Sequence, residues 1–95
     1  MPTATPAVSV EDAINRRRGD LIELSHSIHA EPELAFAEVK SCAKAQELVA
    51  EHGFEIIAAP GGLDTAFRAE YGSGRLVIAF LSEYDALPGI GHGCG

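Results

Sequence analysis

The last fourteen residues of the chain, SEYDALPGIGHGCG, concentrate the side chains that could carry out chemistry. The carboxylates of Glu83 and Asp85 are followed by the imidazole of His92 and the thiol of Cys94. Carboxylate, imidazole and thiolate groups are the ligands that zinc and other transition metals use. His92 and Cys94 are two residues apart, so in an extended backbone they would face the same way. These residue types favour an incomplete divalent metal site, with a solvated tail as the alternative.

The glycines of the same run raise the alternative of a phosphate-binding loop, because Gly89, Gly91, Gly93 and Gly95 alternate. The dinucleotide-binding fingerprint needs glycine at its first, third and sixth positions, and the sixth position from Gly89 is Cys94. A P-loop would need a lysine followed by serine or threonine, which this run lacks. We therefore expect the glycines to let the backbone fold tightly, so that neighbouring side chains reach a common centre.

Two helices are predicted ahead of this run. Ser9 and Asp12 resemble a capping box, and apolar residues then recur at steps of three and four as far as Ala30. Pro32 is suited to the first turn of a second helix, whose apolar side includes Cys42 as a small core residue. This helix is expected to end just before Gly53, which would act as a left-handed cap. Three aromatic side chains are also expected in the core: Phe36, Phe54 and Phe67.

The second half of the chain predicts strands. FEIIAA (residues 54–59) is typical of a short strand and PGGLD of a turn, while TAFRAEY (residues 65–71) alternates. RLVIAFLS (residues 75–82) is mostly apolar, and the intervening GSG predicts a hairpin. A strand that is apolar on both faces belongs in the interior of a sheet covered on both sides. Two helices cannot supply that cover, so the sequence predicts the front part of a larger α/β domain.

The bulk composition disfavours several classes of partner. The chain has 95 residues with 14 acidic and 7 basic side chains, and the net charge of −7 argues against nucleic acids and anionic membranes. The longest apolar run is too short to span a bilayer, and the start of the chain does not resemble a signal peptide. We therefore expect a cytoplasmic protein with a flexible leader at residues 1–8 and one incomplete domain portion at residues 9–95.

The run SEYDALPGIGHGCG, preceded by HSIHAEPELAFAE, resembles the aminoacylase/carboxypeptidase family of metal-dependent amidohydrolases. The closest branch contains p-aminobenzoyl-glutamate hydrolases and N-acyl amino acid hydrolases. Its His-x-x-Pro-Glu-Leu segment matches His29 and residues 32–34, and its Asp-Ala-Leu-Pro segment matches residues 85–88. The resemblance covers residues 10–95. It implies the N-terminal portion of a metallopeptidase-like catalytic domain, in which two helices precede a β-hairpin that ends in an interior strand of a mixed sheet.

The resemblance also implies roles for particular residues. Cys94 would be a metal ligand, His92 a further candidate ligand, and Asp85 the catalytic-site acid that orients ligands beside the metal. One or two Zn²⁺ or Mn²⁺ ions would serve a homodimeric enzyme that cleaves N-acyl or aroyl amino acids or dipeptides. In the family the motif continues Cys-Gly-His, and the glutamate base and remaining ligands follow later, so this chain alone is expected to be inactive. The alternatives are a non-catalytic truncated binding or assembly module and, last, a redox or metal-sensing thiol at Cys94.

Overall fold

The computed structural model describes residues 9–89, which form three α-helices and one two-stranded antiparallel sheet. The expected leader, residues 1–8, lies outside this range. The mixed α/β class predicted from the sequence is confirmed. No helix within residues 9–89 is long and apolar enough to cross a membrane. The elements are α1 (Val10–Arg16), α2 (Arg18–Ala30), α3 (Val39–Glu51), β1 (Glu55–Ala58) and β2 (Phe67–Glu70).

The first predicted helix is divided in two. Its start is confirmed, because the Asp12 N–H donates to the Ser9 hydroxyl oxygen at 3.1 Å. The helix breaks at Arg17, where φ is −106° and the N–H bonds to the Ile14 carbonyl at 3.0 Å. A bond to the third residue back tightens the turn. Arg17 also interrupts the apolar stripe, and its guanidinium turns back to the Ala13 carbonyl at 3.1 Å instead of pointing into a core.

The second predicted helix begins seven residues later than expected, at Val39 rather than Pro32. The segment before it forms a turn in which the Ala37 N–H donates to the Leu34 carbonyl at 2.9 Å. Phe36 within this turn has a φ of 67°, a left-handed conformation that cannot continue a right-handed helix. The residues between α2 and α3 therefore form a loop, and the position of this loop matters for the site described below.

The end of α3 agrees with the sequence. Gly53 has a φ of 87°, and its N–H donates to the Ala50 carbonyl at 3.0 Å. The Phe54 N–H donates to the Val49 carbonyl at 3.2 Å, which completes a Schellman motif. The Phe54 ring then packs against Tyr71, with the ring centroids 5.2 Å apart. This cap turns the chain directly into β1.

The sheet is a hairpin between β1 and β2, in which Glu55 lies opposite Glu70 and Ala58 opposite Phe67. Both strands were predicted, but their pairing was not. The sequence favoured a hairpin between residues 65–71 and 75–82. In the structure, β2 pairs instead with β1, the strand that precedes it in the chain. A turn at Pro60–Gly62 joins the strands, and the Ala59 N–H extends the pairing by donating to the Ala66 carbonyl at 3.1 Å. The proline and two glycines shape this turn. The hairpin therefore forms here and not at the GSG run of residues 72–74.

Residues 76–81, hereafter the apolar segment, are exposed and belong to no strand. Its five large side chains are 69% to 98% exposed. The interior strand expected here is not formed within residues 9–89. The physical reason is the one that the sequence already indicated: a sheet of two strands and three helices leaves no layers to cover it.

The best covered part of the described structure is the start of α3, which contacts α2 and both strands. Ser41 and Cys42 are buried there, so the prediction that Cys42 is a small core residue is confirmed. Phe67 is half-buried on β2. The core position expected for Phe36 is wrong, because its side chain is 81% exposed. That residue lies in the left-handed turn before α3 rather than on the buried side of a helix.

Candidate functional site

The two sequence segments that carry the family resemblance meet at one point of the structure. Leu34, in the loop between α2 and α3, forms an isolated parallel β-bridge with Ala86. The Ala86 N–H donates to the Glu33 carbonyl at 2.7 Å. Asp85 is thereby placed beside the loop that precedes α3, although the two segments are far apart in the sequence.

Asp85 itself is exposed, and no side chain within residues 9–89 bonds to its carboxylate. The sequence predicted an interior strand at residues 75–82, shortly before Asp85. In the structure Asp85 ends an exposed segment that has no strand partner. Among the described residues, its carboxylate is therefore exposed to solvent.

Tyr84, the residue before Asp85, is half-buried, and its neighbours include Cys42 of α3 and Thr65 of the loop between β1 and β2. Its hydroxyl donates to the Thr65 carbonyl at 2.6 Å, and the Thr65 hydroxyl donates to the Glu38 carboxylate at 2.9 Å. Partial burial raises the pKa of the Tyr84 phenol, and the neighbouring Cys42 and Glu38 raise it further. The phenol is therefore neutral at physiological pH and acts as a hydrogen-bond donor.

Glu33 fixes the other side of the site. Its two carboxylate oxygens accept the N–H groups of Lys40 and Ser41 at 3.0 and 2.7 Å. These are unpaired donors at the positive end of α3, so they favour the charged form and lower the pKa of Glu33. The sequence placed Glu33 inside the first turn of this helix. It instead caps the helix from the preceding loop, which is a structural role.

A second carboxylate in the same loop, Glu31, joins α2 to α3. It pairs with Lys40 at 2.9 Å and with Lys44 at 3.6 Å, and the Lys40 contact is the main cause of its lowered pKa. The Lys44 ammonium also donates to the Ser27 carbonyl of α2 at 3.1 Å. The loop is thus fastened to α3 by two glutamates, one through main-chain donors and one through ammonium groups.

The structure describes one of the three predicted site residues. Asp85 lies within residues 9–89, whereas His92 and Cys94 lie outside them, so their convergence with Asp85 stays a prediction. Within the described range, no three His, Cys, Asp or Glu side chains are grouped as a metal site would require. Asp85 is the member of the predicted set whose surroundings can be described, and those surroundings leave its carboxylate free.

Sequence reasoning missed the residues that hold this region in place, namely Tyr84, Thr65 and Glu38. Each has an ordinary polar side chain without a metal-ligand pattern. The available signal was local: Tyr84 is the one aromatic residue in the SEYDALP run. An aromatic residue with a hydroxyl, placed beside a carboxylate, commonly has a packed ring and a bonded hydroxyl.

Comparisons with known proteins identify relatives of this chain. No family model matches the chain. Over 103 aligned positions it is 32% identical to one subunit of the p-aminobenzoyl-glutamate hydrolase of Escherichia coli strain K12, and the match covers 90% of this chain and 21% of that protein. It is 42% identical over 85 positions to the Xaa-Arg dipeptidase of Mus musculus, covering 76% of this chain and 19% of that protein.

The human Xaa-Arg dipeptidase is 38% identical over 90 positions, covering 76% of this chain and 20% of that protein. The predicted resemblance to the amidohydrolase family is confirmed. The relatives are hydrolases of amide or peptide bonds by name, and the chain matches about a fifth of the length of each. The likeness to the amidohydrolase family therefore concerns one portion of those enzymes.

Proposed function

We propose that this chain is a portion of a metal-dependent hydrolase that cleaves the amide bond of N-acyl or aroyl amino acids or of dipeptides. The relatives support this reaction class, since one is named as part of a p-aminobenzoyl-glutamate hydrolase and two as Xaa-Arg dipeptidases. The observation that carries the proposal is the bridge between Leu34 and Ala86, which lies next to the exposed Asp85 and joins its motif to the His-x-x-Pro-Glu-Leu segment. The intact enzyme is proposed to be a cytoplasmic homodimer without nucleic-acid or membrane partners.

The side chains of Asp85, His92 and Cys94 are of types that suit a divalent ion, either Zn²⁺ or Mn²⁺. The intact enzyme is proposed to hold one or two such ions. Cys94 and His92 would hold the ion, since thiolate and imidazole are suitable donors, and Asp85 would orient them. When bound, such an ion polarises an amide carbonyl and lowers the pKa of water. Asp85, His92 and Cys94 include no glutamate to serve as the family's general base. The chain by itself is therefore expected to bind metal without turning over substrate.

A second candidate is a non-catalytic binding or assembly module. The apolar segment favours it, because large side chains that are 69% to 98% exposed form a packing surface. This candidate requires no metal, so metal binding separates the two functions.

The decisive experiment is a zinc titration of the purified, reduced chain by calorimetry, repeated with Mn²⁺. We expect one site in the wild-type chain and its loss in Cys94→Ser. Cys42→Ala is the matched control, because it removes the other thiol, which is buried at 4% exposure in α3. Circular dichroism should first establish that each variant keeps its helices.

An activity assay completes the test. The chain should release no product from p-aminobenzoyl-glutamate, an N-acetyl amino acid or an Xaa-Arg dipeptide. Zinc uptake that Cys94→Ser leaves unchanged, or that Cys42→Ala abolishes in a folded chain, would contradict the hydrolase proposal and favour the assembly module.

A further inference from the structure

Asp85 lies between two neighbours that are both held against the body of the protein. Of residues 71–89, only Tyr84 and Ala86 are half-buried, and all others are exposed. Alternate residues of an extended backbone point to opposite sides, so burying Tyr84 and Ala86 turns Asp85 outwards. This arrangement fixes the position of one exposed carboxylate in an otherwise uncovered stretch of chain.

The hydrogen bonds of Tyr84 and Ala86 both connect to the start of α3. On one side, the Tyr84 hydroxyl donates to the Thr65 carbonyl at 2.6 Å, and the Thr65 hydroxyl donates at 2.9 Å to Glu38, the residue before the helix. On the other side, the Ala86 N–H donates to the Glu33 carbonyl at 2.7 Å. The Glu33 carboxylate in turn accepts two N–H groups from the first turn of α3. The main chain at Asp85 is thus tied to one rigid element from both directions.

A general packing role does not explain why Tyr84 is anchored. If its purpose were to hold a strand in the sheet, the residues before it would be covered as well. The apolar segment is instead 69% to 98% exposed at its large side chains. The hydrogen bond of Tyr84 therefore acts on the few residues around Asp85 and not on the segment that precedes them.

We propose that Tyr84 is a positioning residue, whose hydroxyl bond to Thr65 holds the Asp85 carboxylate in place beside the divalent cation. The inference rests on the function proposed above, since it presumes that Asp85 orients ligands of that cation. Tyr84 would touch neither the cation nor the substrate. It would act through Asp85 alone, and this restriction makes the role testable.

The test compares the zinc dissociation constants of the wild-type chain, Tyr84→Phe, Asp85→Asn and the double variant. Tyr71→Phe is the matched control, because it removes the only other tyrosine hydroxyl from a ring that is 71% exposed. Loss of a group that orients a metal ligand typically weakens binding by about 10- to 100-fold, which we expect for Asp85→Asn. Tyr84→Phe should weaken binding by a smaller factor of roughly 3- to 10-fold, since Asp85 remains. Tyr71→Phe should change nothing.

The double variant separates positioning from general stability. If Tyr84 acts through Asp85, then Tyr84→Phe has no further effect on zinc affinity once Asp85 is replaced by asparagine. A merely structural tyrosine would weaken binding by the same factor in both backgrounds. Amide hydrogen exchange gives a readout without metal: exchange at Ala86 should accelerate in Tyr84→Phe and not in Tyr71→Phe.

The outcomes differ for the inference and for the proposed function. If Asp85→Asn weakens zinc binding but Tyr84→Phe does not, or if the two effects are independent, the positioning role is overturned while the hydrolase proposal stands. If neither Asp85→Asn nor Cys94→Ser alters zinc binding, the proposed metal site fails and the positioning role fails with it. Non-additive losses together with faster exchange at Ala86 support both.

Discussion

The apolar segment is expected to make the isolated chain self-associate. It has six consecutive apolar residues, and the exposed backbone beside them has no strand partner within residues 9–89. An uncharged, apolar and unpaired stretch of this kind is a template for pairing with another copy. Replacing one of its large side chains by lysine should therefore weaken association.

The expected size of this effect follows from the exposures. Burying a Val, Leu, Ile or Phe side chain fully contributes about 1.5–3 kcal/mol. The five large side chains of the apolar segment are 69% to 98% exposed. Burying them completely would therefore contribute about 6–13 kcal/mol of free energy in each copy. They are Leu76, Val77, Ile78, Phe80 and Leu81. Phe80 is 90% exposed, so Phe80→Lys should forfeit about 1.4–2.7 kcal/mol of that burial. At about 1.4 kcal/mol per factor of ten, the dissociation constant should rise roughly 10- to 80-fold per substituted copy.

Sedimentation velocity over a range of protein concentrations measures this association. Phe36→Lys is the control, because Phe36 is a phenylalanine of similar exposure, 81%, that lies outside the apolar segment. The same change of charge and size is thereby made at a second site. The reasoning is refuted if the wild-type chain stays monomeric at high concentration, or if Phe36→Lys reduces association as much as Phe80→Lys does.

Three further predictions concern stability. Ser9→Ala should destabilise α1 by about 1 kcal/mol and speed amide exchange at Asp12, whereas Ser9→Asp should preserve the cap. The pKa of Glu33 is lowered from its ordinary value of 4.5, so the stability from its cap is present above that pH and is lost as the pH falls through the lower folded value. Glu33→Gln should therefore reduce the loss of stability at acidic pH in urea-unfolding experiments run over a series of pH values. An unchanged loss would contradict the cap. Gly53→Ala should cost about 1–2 kcal/mol because φ is 87° there, while Gly19→Ala in α2, which has nothing within 4 Å, should stabilise the chain in the same urea titration.

The sequence predicted the local elements better than their assembly. The cap at Ser9 and the Schellman turn at Gly53 depend on side chains within a few residues of one another, so a local pattern suffices to find them. The break at Arg17 and the left-handed turn at Phe36 depend on competing backbone bonds. The spacing of apolar residues gives no information about those bonds. Both helices were therefore predicted to be too long.

The pairing of β2 needed more than spacing. Both neighbours of β2 were suitable strands, and the GSG run gave as good a hairpin signal as the Pro60–Gly62 turn. A strand with apolar residues on both faces requires cover that residues 9–89 do not provide. Burial is a property of the whole assembly, whereas the sequence pattern shows only the preference of the segment itself.

The meeting of the two motif segments could not be predicted from side chains, because the bond that joins them is made by the main chain. The Ala86 N–H and the Glu33 carbonyl would be present whatever side chains these residues carried. Side chains enter one step away, where the Glu33 carboxylate caps α3 and the Tyr84 hydroxyl reaches Thr65. Glu33 and Tyr84, which have no predicted chemical role, therefore determine where Asp85 lies. The position of Asp85, the predicted site residue, depends on them. A substitution at Glu33 or Tyr84 should thus act on the site through geometry, even though neither side chain is a predicted ligand.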